Sequence, residues 1–199
     1  MIPVLRRKAP CGFNAKVYRP GTDWVRQSGH PRRGPVPVGV RLRPLWRDIL
    51  PALRRRYQHV CAYTAFYVPL VTGAPTVDHF VAKSVAIEDA YRWRNYRFAC
   101  SLVNARKGTL DDVLDPFEIQ EGTFELEFLT GSISPGPRAV GSLRDAAEHT
   151  IKRLGLDLPD CRTRRISDFM ECLNRHISED YLMRRSPFVW REAKRQGLI

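Results

Sequence analysis

Residues 77–108 read VDHFVAKSVAIEDAYRWRNYRFACSLVNARKG, and this stretch with its upstream flank sets the expected fold. Before it, HVCAYTAFYVPL (59–70) is rich in β-branched and aromatic residues, the composition of a strand. TGAP (72–75) supplies turn chemistry, and TVDHFVAKS (76–84) can return as the second strand of a hairpin. IEDAYRWRNYR (87–97) is polar and irregular, while FACSLVNARKG (98–108) predicts a short helix stopped by Gly108. The expected order is strand, strand, helix.

Hydrolysing a phosphodiester needs a base for water, a cation to offset charge on the phosphorane and leaving oxygen, and a scaffold that fixes both at one phosphate. Asp78, His79, Asn95 and Asn104 carry these parts. Neighbouring residues on a strand point to opposite faces, so Asp78 and His79 can act together only where the strand ends or bends. The polar run from Lys83 fits such an ending. Imidazole accepts a proton near neutrality, and the Asp78 carboxylate and Asn104 amide oxygen are hard donors suited to Mg²⁺ or Mn²⁺.

Taken together, VDHFVAKS, WRNYRFAC and VNARKG resemble the HNH motif of the ββα-metal nucleases, in the variant whose third residue is Asn. The resemblance implies an endonuclease with His79 as general base, Asp78 and Asn104 as metal ligands, and Asn95 bracing the loop that holds the histidine. Arg106 and Lys107 resemble phosphate contacts, with surface charge as the competing role. Many relatives hold this unit with zinc on two Cys-x-x-Cys pairs. Here the matching positions are Cys61 with Thr64 and Cys100 with Val103, so no structural zinc is expected and packing should replace it. A weaker likeness covers the opening MIPV and a following PG, the helix before Cys61, DVLDPF (112–117) and TIKRLGL (150–156). These parts resemble bacterial HNH proteins of antiphage defence, including the Septu-type nuclease component and retron-associated HNH proteins. The HNH resemblance implies DNA, rather than RNA, as target with 5′-phosphate and 3′-hydroxyl ends, and the wider likeness implies an ATPase as partner. A catalytically inactive module that binds nucleic acid or a partner, and an RNA-cutting nuclease, remain the alternatives.

The formal charge is +12, and residues 1–60 hold all of that surplus, with 14 Lys and Arg against Asp23 and Asp48. A basic amino-terminal region on a neutral body suits capture of a polyanion, or a solubilising or partner-binding face. Residues 1–44 are rich in Pro and Gly, Pro31 among them, without sustained periodicity, and predict an extended basic arm. A short helix ending near His59 is expected next, capped by Asp48, with Arg54, Arg55 and Arg56 offered to nucleic acid. Residues 45–110 would form the ββα core. Residues 111–199 would form an acidic strand segment and a mainly helical wrap, packed with the core as one compact domain of α+β class.

Within that wrap, Asp111 to Glu127 contains seven acidic residues and no basic one, so it should avoid phosphates. TFELEFL alternates like a strand with one wet face, and Ser142 with Asp145 resembles a capping box for a helix stopping at Gly155. A second helix should carry Ile166, Phe169, Met170, Leu173 and Ile177 on one face, and a third should start at Ser186 and Pro187. Cys172, His176 and Cys161 read as packing in place of a metal site. Trp93, Tyr91 and Tyr96 read as lid packing, with base stacking as the competing role. Five widely spaced cysteines suggest reduced thiols. No apolar run approaches a membrane span and the first residues lack a secretory pattern, so a cytoplasmic location without membrane contact is expected.

Overall fold

The computed structural model describes residues 1–30 and 34–199, and Pro31 lies outside the described residues. Among these residues the chain is α+β, with seven α-helices and two separate two-stranded antiparallel sheets.

The arm is less extended than its composition predicts. A wide helical turn at Asn14–Tyr18 runs into α1 (Arg19–Gln27), and Pro20, which has no N–H to donate, falls where the wide turn tightens into the α-helix. Val17, Gly21 and Val25, four apart, are all buried on one face. Gly21 packs so closely on Tyr91 that a Cβ there would lie 2.2 Å from the ring, so only glycine lets the helix dock. Further upstream, Met1 is buried and the Val4 amide donates to the Pro116 carbonyl at 2.8 Å. A 3₁₀ turn at Leu45–Ile49 then feeds α2 (Leu50–Arg56), which buries Leu53. Asp48 lies inside that turn, and the helix has no side-chain cap.

Residues 59–70 do not form the first hairpin strand. Gln58, His59 and Ala65 adopt positive φ of 52°, 64° and 55°, and the segment closes on itself with one bridge, Val60 to Tyr67. The resulting knuckle docks on the sheet through Ala62 N–H to Phe98 O at 2.8 Å. The true partners are β1 (Pro75–His79) and β2 (Tyr96–Cys100), antiparallel, with Asp78 opposite Arg97 and His79 opposite Tyr96. Phe98, Ala99 and Cys100, expected in the helix, therefore belong to the strand. α3 (Ser101–Lys107) follows at once and ends on Gly108 at φ 60°, completing a strand–strand–helix unit.

In the carboxy-terminal part β3 (Phe124–Leu126) pairs with β4 (Ile133–Pro135), a partner the alternation of TFELEFL did not reveal. α4 (Ser142–Leu154) ends on left-handed Gly155 as expected, but its N-cap is Gly141 and the Ser142–Asp145 capping box does not form. α5 (Pro159–Leu173), α6 (Glu179–Arg185) and α7 (Pro187–Arg195) complete the chain, and Ile177 falls between helices. One hydrophobic cluster contains residues from Met1 to Ala193. A buried bidentate pair, Arg97 to Asp115 at 2.8 and 2.5 Å, ties β2 to the acidic segment.

Candidate functional site

Asp78 and His79 close β1, and beyond them the backbone leaves the sheet. That ending lets both neighbours line one cavity of about 280 Å³, shared with Asn104 from α3 and with Lys83 and Ser84 from the following loop. The carboxylate, the imidazole and the distant amide are thus brought together.

His79 is buried, with its ring edge-on to Trp46 at 4.7 Å and Tyr96 at 5.1 Å. Its Nε2 lies 3.0 Å from the Ala90 carbonyl, which can only accept. The proton therefore belongs on Nε2, and Nδ1 keeps its lone pair. Burial, followed by the charge of Lys83, lowers the imidazole pKa to about 3, so the ring is neutral at physiological pH.

Asp78 is also buried. One carboxylate oxygen accepts from the Tyr63 hydroxyl, and the other lies 3.4 Å from the Lys107 ammonium. Burial raises its pKa against the opposing pull of Lys107 and Tyr63. Asn104 donates from Nδ2 to Thr76 Oγ1 at 3.3 Å, and its Oδ1 has no protein partner among the described residues.

Asn95 does not line the cavity; it staples the loop above it. Its Nδ2 donates to the Val81 and Asp89 carbonyls at 2.9 and 3.0 Å, and its Oδ1 accepts from Val81 N–H at 2.7 Å. Because Ala90 follows Asp89, this staple also sets the carbonyl that orients His79.

The expected phosphate contacts fare differently. Lys107 is fully buried, donating to the His79 and Phe80 carbonyls at 3.1 and 2.9 Å, so it is no surface phosphate contact: its ammonium stabilises the end of β1. Arg106 is half-buried and lies against Gly155 on the far side of α3, outside the cavity lining. Arg54 is half-buried and reaches the Tyr67 hydroxyl and Val68 carbonyl, both at 3.4 Å, whereas Arg55 and Arg56 are exposed.

Lys83, Trp46, Tyr63 and Thr76 were not assigned from sequence. Lys83 Nζ sits 4.6 Å from the Trp46 ring and joins the cavity to a second groove of about 630 Å³ lined by Arg41 and Arg47. The basic arm therefore runs beside the cavity mouth. The only sequence signal for this was the arm's charge, since nothing in the spacing links Trp46 to His79.

The donor set suits a hard divalent ion, which commonly takes one or two protein oxygens and completes its shell with water and phosphate. Asp78 and Asn104 fit that role: both line the cavity, Asn104 Oδ1 is unengaged, and the Lys107 contact is looser than the 2.7–2.9 Å typical of a charge-assisted hydrogen bond. No group of three or more His, Cys, Asp or Glu among the described residues is placed to share a metal. Cys61 is buried, and its hydrogen bond with Cys100, with burial, pushes the Cys100 thiol upward. His176 faces Glu171 at 3.4 Å. No helix among the described residues is long and apolar enough to cross a membrane.

No protein-family model matches the chain, and a search of curated proteins found no match.

Proposed function

We propose that the chain is an HNH-type endonuclease that hydrolyses phosphodiester bonds in DNA with Mg²⁺ or Mn²⁺. The observation that carries this reading is the convergence of Asp78, His79 and Asn104 on one cavity at the end of a strand–strand–helix unit. His79 Nδ1 would take the proton of the attacking water; burial keeps that lone pair free but weakens the ring as a base, so the water would need the divalent ion to lower its own pKa. A divalent ion held by Asp78 and Asn104 would offset charge on the phosphate and leaving oxygen. Asn95 fixes the loop that orients the imidazole, and Lys83, Arg41 and Arg47 receive the flanking backbone. Cleavage leaves 5′-phosphate and 3′-hydroxyl ends. Service as the cytoplasmic effector of a bacterial antiphage system beside an ATPase rests on the wider resemblance of MIPV, DVLDPF and TIKRLGL.

Supercoiled plasmid incubated with the purified chain and Mn²⁺ tests the reading. Cutting should vanish in His79→Ala and Asn104→Ala while circular dichroism is unchanged, and equal cutting by both variants would sink it. RNA of matched length in the same assay separates the RNA-cutting alternative.

One observation favours the non-cutting alternative. The Lys107 ammonium and Tyr63 hydroxyl already compensate the Asp78 carboxylate without a metal. A chain that binds plasmid but neither cuts it nor binds Mn²⁺ by paramagnetic relaxation would be that module.

A further inference from the structure

A second concave site shares no lining residue with the Asp78 cavity. The turn after α2, the Tyr67 segment and helices α5 and α6 enclose about 590 Å³, within the size range of small-molecule pockets. Its chemistry is cationic and aromatic, with Arg164, Arg184, Arg185, His59, Tyr67 and Tyr181 among its walls.

Two of the arginines are pre-set. Asp168, buried beneath them, takes Arg164 Nε at 2.7 Å and Arg185 Nε at 2.8 Å. Gripping each guanidinium by Nε holds the fork in place and leaves terminal nitrogens for a ligand, which reduces the ordering cost of binding. Arg185 also donates to the Tyr181 hydroxyl at 3.4 Å. Arg184 is exposed and has no acidic partner among the described residues. Three guanidinium groups therefore face the pocket against one buried carboxylate. Gln58 and His59 enter the pocket wall at φ 52° and 64°, where their N–H groups cap the end of α2 on the Arg55 and Arg54 carbonyls at 3.1 and 2.8 Å. Burial, and after it the charges of Arg54 and Arg55, lower the His59 pKa.

We propose that this pocket binds a nucleoside phosphate, with the phosphates on Arg164, Arg184 and Arg185 and the base against the rings of Tyr67 and Tyr181. An inorganic anion alone would use the arginines but leave the rings and most of the volume unfilled. Planar, multi-donor guanidinium forks suit phosphate oxygens, and tyrosine rings suit base stacking. The same chemistry is offered by a free nucleotide and by a nucleotide within a strand.

Calorimetric titration of the full chain with ATP, inorganic phosphate and a 5′-phosphorylated oligodeoxythymidine tests this. ATP should bind, with Arg184→Glu weakening it by at least about tenfold. Tyr181→Leu should weaken ATP severalfold and leave phosphate unchanged. ATP at the wild type's dissociation constant should also move the His59 ring resonances much further in the wild type than in Arg184→Glu, with both proteins giving the same circular dichroism. The oligonucleotide displacing ATP assigns a strand as the source, and failure to displace it assigns a free nucleotide. No saturation by about 1 mM ATP, equal binding of ATP and phosphate, or unchanged binding by Arg184→Glu would overturn the proposal.

Discussion

Replacing Asn95 with Ala removes three hydrogen bonds at once: two that its amide donates to the Val81 and Asp89 carbonyls, and one that it accepts from Val81 N–H. Each is worth about 0.5–1.5 kcal/mol net, and more where the abandoned partner stays dry. Val81 and Asp89 are half-buried, so water recovers part of the loss, and the expected destabilisation is about 2–3 kcal/mol. With a urea m-value of about 2–3 kcal/mol/M for a chain of this size, the unfolding midpoint should fall by about 1 M with m unchanged. Asn95→Asp should do no better, since it keeps the acceptor for Val81 N–H but turns a charged oxygen toward two carbonyls. Urea unfolding followed by circular dichroism reads both variants. A midpoint shift below about 0.3 M for Asn95→Ala would refute the claim that this amide holds the loop. The Val81 amide should also lose protection from hydrogen exchange before the β1–β2 amides do, because its only observed acceptor is the missing side chain.

Lys107→Met keeps the length of the side chain but abandons two carbonyls and leaves Asp78 without its cation. A loss of about 3–5 kcal/mol is expected in urea unfolding, and Mn²⁺ should restore more stability to the variant than to the wild type. A loss below about 1 kcal/mol would show that the ammonium does not hold the end of β1. Arg97→Lys replaces a buried bidentate fork with a point charge that cannot reach both Asp115 oxygens and the Arg94 carbonyl in the same geometry. The melting temperature should fall by an amount corresponding to about 2–3 kcal/mol, whereas an unchanged value would mean that the fork contributes nothing beyond its charge.

The strand, strand, helix order was legible, but one of its strands was misassigned, and the reason is physical. HVCAYTAFYV has the composition of a strand, yet its amides close a knuckle, with Cys61 N–H on the Phe66 carbonyl and Ala65 N–H on the Cys61 carbonyl. Composition reports a half-buried pleated surface as readily as a strand, and tertiary pairing decides. The run from Phe98 to Val103 crosses from strand to helix with only Ser101 as a polar marker, so its periodicity could not place the boundary. In the arm, Pro20 and Gly21 read as breakers. Position reversed their meaning, one sitting in the first helical turn and the other giving Tyr91 room. That Asp78, His79 and Asn104 share one cavity agrees with their grouping in the sequence, because a motif's side chains survive such shifts in boundaries. The burial of Lys107 was not, since a lysine in a run of basic residues carries no mark of what its ammonium will face.

The placement of Trp46 has an optical corollary. Its indole lies between the His79 ring, edge-on at 4.7 Å, and the Lys83 ammonium at 4.6 Å, two groups that any occupant of the chamber must disturb. The molecule thus carries a native fluorophore beside the cavity lined by Asp78, His79 and Asn104, and arrivals there should register as a change in emission without a label being attached.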